Sequence, residues 1–406
     1  MKKLLLLGGS RYLLPAIKAA HDLGVYVITA DYLPDNYAHQ FSDEYHNVSI
    51  IDRDAVLKLA EDLNIDGIMS YATDPGVVVA AYVADKLGLP TSPVKSVAIL
   101  QNKGKFRKFL AENGFNVPFA RSYKYPEDAL KDASLFRWPV IIKPTDSAGS
   151  KGVTKVDNKK DIVKYANHAL EFSLTNEFIM EEFIEKKGFS SDTDSFSIDG
   201  KLVFTSFNDQ WFDSKADNPY TPAGFIFPSG MPLDIQKELH SELQRLLKLL
   251  DMGTTIYNIE TRQGVDGKPY IMECSPRAGG NRLAEMLKLA CGQDIITASV
   301  KAALGMPIEE KLTDPVYKGH WGEVILHSNK SGILKEIFVD SEFKEKYIKE
   351  LDLWVKPGDE IHEFSGANET IGTVVLQCES LGELTECLNT IYDHIRVEVA
   401  PAGRRF

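Results

Sequence analysis

Over its first ninety or so residues the chain alternates short apolar runs with helical segments, and that alternation limits the possible folds more than any other feature. Leu4–Leu7 is followed by a helical stretch from about Leu13 to Leu23, then by Val25–Ala30 closed by Asp31. A helix near Asp54–Leu63, a strand Gly67–Ser70 and a helix Val77–Leu87 ending at Gly88-Leu89-Pro90 continue the pattern. Such a rhythm predicts βαβ units around a small parallel, doubly wound sheet. The first turn, Gly8-Gly9-Ser10-Arg11, lacks the G-x-G-x-x-G spacing, which argues against a dinucleotide site there.

From about Thr91 to Ala303 the rhythm changes to α+β, with strands outnumbering helices. A helix from Val94 to Asn113 leads to strands at Trp138–Lys143, Asn176–Ile184, Asp194–Ile198 and Leu202–Asn208. Helix Asp234–Leu250 precedes a hairpin of Thr254–Arg262 with Pro269–Cys274, turned at Asp266-Gly267. Between them, Asp209–Met231 is aromatic, punctuated by Pro and Gly, and without period, which reads as a binding loop or a disordered one. Trp211 and Tyr220 within it suit packing as well as recognition. Strand-like Glu323–His327 and Gly372–Cys378 and a helix Leu381–His394 complete a third, smaller α+β unit.

A chain of 406 residues has room for two to four domains. Its 46 Lys+Arg against 58 Asp+Glu give a net charge of −12, which argues against a protein that coats nucleic acid or an anionic membrane. An anionic ligand must then be held by local positive charge. No apolar run approaches the ~20 residues needed to cross a bilayer, and the four cysteines show neither C-x-x-C nor zinc-type spacing. Reduced thiols in a cytoplasmic protein are expected.

Three stretches carry chemistry. In Trp138–Val153 a strand delivers Lys143 at its end, and the small residues that follow let backbone N–H groups approach phosphate oxygens. The lysine precedes the glycines, so this is not a Walker A loop, and an ordinary surface hairpin is the plain alternative. In Ile259–Arg262 and Ile271–Arg277, antiparallel pairing brings Glu260 alongside Glu273, while Glu273, Ser275 and Arg277 share one face. Converging carboxylates on a sheet need a cation, and oxygen ligands suit Mg²⁺, unless both glutamates lie on a solvated face. Met180–Ile184 is an apolar strand end bearing two acids. Taken alone it is an edge strand, yet its backbone could supply the acceptor and donor that an adenine ring requires.

In this order and separation the three stretches resemble the ATP-grasp superfamily, especially its carboxylate–amine ligase, biotin-carboxylase-like and carbamoyl-phosphate-synthetase-like branch. The resemblance implies a Rossmann-like pre-ATP-grasp domain at 1–95, a two-subdomain ATP-grasp domain at 96–310 with its small subdomain at about 115–185, and a small α+β domain at 311–406. It implies ATP contacts from Lys103, which matches the lysine of D-K-x-x-x-[RK], from Lys143, and from the flap Ser147, Ala148, Gly149, Ser150 and Gly152. The hinge Glu181, Glu182, Phe183 and Ile184 and the acid Asp194 complete the implied nucleotide site, with Ser190 standing where relatives carry a ribose-binding acid. The E-x-N-P-R strand matches Glu273–Arg277, which makes Glu260, Glu273 and Ser275 the implied metal ligands. Ser275 stands where the family often has Asn, which implies a weaker second-metal site. Arg277, Gly279, Gly280 and Arg282 are the implied substrate contacts, with Arg277 and Lys143 catalytic.

The implied reaction is ATP-dependent activation of a small carboxylate, an amino acid foremost, as an acylphosphate that an amine then attacks, with ATP and Mg²⁺ (or Mn²⁺) as cofactors. Bicarbonate activation, as in biotin carboxylase or purine synthesis, and nucleotide binding without turnover are the alternatives. Small-molecule carboxylate and amine partners are expected, neither nucleic acid nor membrane, and a homodimer stays open.

Overall fold

Leu4, Leu5, Leu6 and Leu7 are fully buried in strand β1 (Lys3–Leu7) of a computed structural model that describes residues 1–216, 221–366 and 369–401; Tyr220 lies outside the described residues. Full burial of one leucine side chain contributes about 1.5–3 kcal/mol, so this run alone anchors a sheet. α1 (Leu14–Asp22), β2 (Tyr26–Asp31), β3 (Glu44–Asn47), α2 (Arg53–Leu63), β4 (Gly67–Met69) and α3 (Val77–Leu87) follow. The four strands are parallel in the order β3-β2-β1-β4, with Leu5 beside both Ile28 and Ile68. Strand order reverses at β1, and the turns after β1 and β4 therefore open at the switch point where α/β sheets receive ligands. β3 escaped the sequence reading because Glu44-Tyr45-His46-Asn47 is a half-exposed edge whose conformation comes from pairing with β2.

The helix expected from Val94 to Asn113 is two helices, α4 (Val94–Leu100) and α5 (Lys103–Glu112). Asn102 breaks them: its backbone is extended, at φ −115° and ψ 113°, and its side chain accepts from the Lys105 amide at 2.9 Å. An N-cap of this kind satisfies an otherwise orphaned helix donor. It also makes Lys103 the first residue of α5. An antiparallel sheet follows, built from β5 (Ala120–Tyr123), β6 (Val140–Pro144), β7 (Thr154–Val156) and β8 (Phe178–Glu182) in the order β5-β8-β6-β7. α6 (Pro126–Lys131) and α7 (Ile162–Glu171) cover it, packing Ala129, Ile162, Ala166 and Ala169 against Val140, Ile142, Phe178 and Met180. β8 pairs on both sides, so the edge-strand reading of Met180–Ile184 is corrected: β8 is an interior strand between β5 and β6.

A second antiparallel sheet has the order β10-β9-β13-β14, from β9 (Lys186–Ile198), β10 (Lys201–Thr205), β13 (Thr255–Gly264) and β14 (Pro269–Ser275). Between β10 and β13 the chain runs through β11 (Asp209–Trp211), β12 (Gly224–Phe227) and α8 (Leu233–Leu249). α9 (Leu283–Cys291) and α10 (Ile295–Ala303) come after the hairpin. By internal contacts, Met1–Gly188, Asp192–Ser206 and Pro232–Pro315 form one compact unit.

The other unit comprises Phe189–Ser191, Phe207–Met231 and the residues from Val316 onward. Its five-stranded sheet, β11-β12-β15-β19-β17, uses β15 (His320–Leu326), β17 (Ile348–Leu353) and β19 (Gly372–Cys378). Its three-stranded sheet, β18-β16-β20, uses β16 (Gly332–Val339), β18 (Glu360–Ile361) and β20 (Ile395–Ala400), and α11 (Ser341–Tyr347), α12 (Leu381–Asn389) and α13 (Ile391–His394) accompany them. The segment without period, Asp209–Met231, enters this sheet at both ends through β11 and β12. The helix expected over Leu381–His394 divides at Thr390.

Asn102 tests the α4–α5 break. Asn102→Ala is expected to lower stability by about 1 kcal/mol and Asn102→Asp to lose only a few tenths, read as shifts in thermal midpoint. Equal loss in the two variants would contradict the cap.

Candidate active site

The positive pole of the site begins with a buried ion triplet. Lys143 lies on β6, Glu181 on β8 opposite Ile141, and Arg107 one helical turn beyond Lys103 on α5. Lys143 Nζ is 2.5 Å and Arg107 Nε 2.8 Å from the Glu181 carboxylate, whose side chain is 3% exposed. Arg107 Nη1 also donates to the Met272 carbonyl at 2.8 Å, tying α5 to β14. Burial would push the Glu181 carboxyl up, but the charges of Arg107 and Lys143 outweigh it and hold the group at about 2. Burial pulls Lys143 below its ordinary value, against the attraction of Glu181 and with the repulsion of Arg107 and Lys103.

Lys103 continues the pole. Its amide donates to the Thr145 carbonyl at 2.8 Å, and its Nζ donates to the Ser147 carbonyl at 2.8 Å while standing 3.6 Å from Glu273. The expected flap, Ser147–Gly152, is the turn between β6 and β7. Asp146 anchors its base through Ser173 Oγ at 2.9 Å and the Thr175 amide at 2.8 Å. Gly152 has φ +69°, and a Cβ there would come within 2.9 Å of Phe172 and 3.3 Å of the Ala169 backbone, so glycine is required. At the end of β8, the Glu182 and Phe183 amides donate to the Phe119 and Pro139 carbonyls, and the Ile184 carbonyl accepts from Arg262 at 3.2 Å.

Facing this pole is the β13–β14 hairpin. Register pairs Glu260 directly with Glu273 and Asn258 with Ser275. The glutamate side chains are 31% and 33% exposed, and each has a nearby cation: Arg262 Nη2 is 3.1 Å from Glu260, and Lys103 neighbours Glu273. Among the described residues no group of three or more His, Cys, Asp or Glu is placed to hold a metal. Two opposed, partly exposed carboxylates offer oxygen ligands, which fit a hard cation that takes its other ligands from phosphate and water, as Mg²⁺ does. Ser275 differs from expectation. Its hydroxyl donates to Asp74 Oδ1 at 2.9 Å and accepts from Gln101, so it is engaged with the N-terminal region instead of standing beside the glutamates as a free ligand.

Arg277 lies beyond β14 with its guanidinium bound to Asp74, Nε to Oδ1 at 2.9 Å and Nη2 to Oδ2 at 2.6 Å. Burial opposes the Asp74 charge, but Arg277 outweighs it and holds the carboxyl below its ordinary value. Gly279 needs the absence of a side chain: a Cβ would lie 2.6 Å from Leu283 and 2.9 Å from Asp194 Oδ1. Gly280 has open space around it, so packing does not demand glycine there. Asn281 and Arg282 adopt left-handed backbone, at φ 51° and 58°. Strain of this sort in non-glycine residues collects at functional sites. Arg282 is 3.3 Å from Glu285 in the first turn of α9, which it precedes, and Asn281 accepts from Tyr12 at 2.9 Å. Asp194 is fully buried and accepts from the Gly279 amide at 2.8 Å and from Asn258 at 3.2 Å, so it supports this loop. Burial raises Asp194 to about 7; burial followed by the charge of Glu260 does the same for Asp192. Ser190 belongs to the other unit, where it donates to Gln210.

Lys103, Lys143, Glu181 and the flap are thus brought together, as are Glu260, Glu273 and, through Lys103, the two groups with each other. Sequence reading missed Asp74, Gln101, Asn258 and Asp192, and it took Arg107, the last position of D-K-x-x-x-[RK], without a role; its i,i+4 spacing from Lys103 puts both on one helix face.

Residues 136–285 match the ATP-grasp domain family, and the chain carries an ATP-grasp domain. Residues 324–400 match the L-amino acid ligase C-terminal domain 2, so that domain follows it. The chain is 25% identical over 305 residues to the carbamoyl phosphate synthase large chain of Pseudothermotoga lettingae, covering 73% of this chain and 27% of that protein. It therefore spans only about a quarter of that relative's length. Among solved structures, an L-amino acid ligase from Bacillus licheniformis superposes with TM-score 0.82 at 20% identity, covering 98% of this chain and 99% of that one. A phosphoribosylglycinamide synthetase from Anaerococcus prevotii gives 0.77 at 24%, covering 98% and 100%. These likenesses establish the ATP-grasp fold, as the sequence led us to expect. Among the described residues no helix is long and apolar enough to cross a membrane.

Glu181 gives the site a pH signature. A carboxylate depressed in the folded state contributes stability that is whole above its ordinary value of 4.5 and lost as pH falls through about 2. The wild-type thermal midpoint is therefore expected to fall across that window. Glu181→Gln is expected to be less stable at pH 7 by about 3–5 kcal/mol, because two buried cations lose their counter-charge, and to show a shallower slope from pH 4.5 to 2. Equal slopes would contradict the triplet.

Proposed function

We propose that this chain is an ATP- and Mg²⁺-dependent ligase that activates a small carboxylate, foremost an amino acid, as an acylphosphate and joins it to an amine, releasing ADP and phosphate. The observation that carries this reading is the bridge by which Lys103 reaches both the flap, at Ser147, and the metal-type carboxylate Glu273. The C-terminal match to an L-amino acid ligase domain supports the choice of substrate class. The proposal includes a first domain at 1–95, the ATP-grasp domain at 96–310 and a C-terminal domain at 311–406.

In this reading Lys103 and Lys143 bind the phosphates of ATP and offset their charge, and the flap turn closes over them. Lys143 is suited to the task because Glu181, itself held by Arg107, fixes its position before nucleotide arrives. Glu260 and Glu273 would hold Mg²⁺, which supplies charge neutralisation at the transferring phosphoryl group. Arg277 orients the substrate carboxylate, whose oxygen attacks the γ-phosphorus as the bond to ADP breaks. The amine nitrogen then attacks the acyl carbon and phosphate leaves. Positioning and electrostatics supply most of the rate in such transfers, so pre-set cations matter more than any proton relay.

Purified protein with a panel of amino acids is expected to release ADP and phosphate only when a carboxylate and an amine acceptor are both present; silence across a broad panel would contradict the reading. Glu273→Gln is expected to cut that turnover by about a hundredfold or more at saturating Mg²⁺ with the fold intact by circular dichroism. Unchanged turnover would remove the metal assignment.

A further inference from the structure

We propose that Asp74, on the turn after β4, is a positioning residue that fixes the guanidinium of Arg277 and thereby sets where the substrate carboxylate is held. The inference rests on the ligase reading above and deepens it.

Of the five N–H donors of Arg277, Nε and one of Nη2 go to the two oxygens of Asp74, at 2.9 and 2.6 Å, and one of Nη1 goes to the Ala278 carbonyl at 2.7 Å. One N–H on each terminal nitrogen remains for a second acceptor such as a substrate carboxylate. Asp74 therefore uses one side of the guanidinium and orients the other. The pair is enclosed, with side chains 10% and 17% exposed, so its geometry is not loosened by water. Asp74 is itself held from two further directions. Ser275 Oγ donates to Oδ1 at 2.9 Å and Gln101 donates to Ser275, which links the turn to the end of β14 and the end of α4. On its own side, Ser70 Oγ donates to the Thr73 carbonyl at 2.5 Å, and Ala72 takes a left-handed φ of 54°.

The residues before about 95 thus contribute to the chemistry of the ATP-grasp sheet, since Asp74 follows β4 while Arg277 follows β14 some two hundred positions later.

The test compares Asp74→Asn and Asp74→Glu with wild type. Asp74→Asn keeps the volume and one acceptor but loses the charged fork. It is expected to lower kcat with the preferred carboxylate by about 10–100-fold, because a misplacement near 1 Å costs that much, with KM for ATP within about twofold. Asp74→Glu, which restores the charge, is expected to recover part of the loss; a purely structural role would shift the thermal midpoint and both KM values together. An arm that needs no turnover labels the full-length protein with phenylglyoxal and quantifies the Arg277 peptide by mass spectrometry. Arg277 is expected to react several-fold faster in Asp74→Asn than in wild type. Unchanged labelling overturns the clamp, and faster labelling with unchanged kcat overturns the positioning role. If wild type turns over no carboxylate–amine pair, the ligase reading falls and the positioning role with it, while the labelling arm still decides the clamp.

Discussion

Two cations, Lys143 and Arg107, are buried within reach of one carboxylate, and the site depends on that carboxylate. Without Glu181 the two charges would repel in a low-dielectric junction, and either burial or ionisation would have to give way. With it, α5, β6 and β8 are pinned at one point, and the Arg107 bond to Met272 carries the pin across to β14. Lys103, one turn earlier on α5, is thereby delivered to the edge of the opposing hairpin. Its position between the Ser147 carbonyl and Glu273 follows from this chain of contacts, since α5, β6 and β14 share the one joint.

The same joint gives the overall charge a local meaning. A chain of net charge −12 has no general attraction for an anion as acidic as ATP. Lys103, Lys143, Arg107 and Arg277 supply locally what the composition lacks on average, and Glu181 and Asp74 hold three of them in place, Lys143 and Arg107 by the first and Arg277 by the second. The opposed glutamates on β13 and β14 add a second pole that a divalent cation would convert from repulsive to attractive for phosphate. Lys103, Lys143, Glu181, Glu260 and Glu273 all lie on helix or strand, where positions are fixed more firmly than on loops.

Much of this was legible in the residues. Strand and helix alternation before Pro90, the hairpin that opposes Glu260 to Glu273, and the lysine at the end of β6 are local patterns, and local patterns survive folding. Asn102 was missed because an N-cap inside an apolar periodic stretch looks like one more helical residue until its φ is known. β3 was missed because an edge strand of Glu, Tyr, His and Asn has no apolar alternation. Asp74 was out of reach for a different reason. Its partner is some two hundred positions away, and nothing in Thr73-Asp74-Pro75-Gly76 beyond a turn signature marks it. Ser275 was read from its spacing to Glu273, and spacing is silent on the hydroxyl's preference for Asp74 and Gln101. Period and motif place a side chain on a face; only the assembled sheets show which neighbour claims it.

If the β13–β14 carboxylates and the lysines opposite form a single site for a metal–nucleotide complex, crystals grown with Mn²⁺ and a non-hydrolysable ATP analogue will show it, because manganese is located by its anomalous scattering. A manganese peak is expected between the Glu260 and Glu273 carboxylates, with analogue phosphates reaching Lys103 and Lys143. Nucleotide bound with its phosphates away from both lysines, or manganese bound elsewhere with the glutamates unliganded, would contradict it.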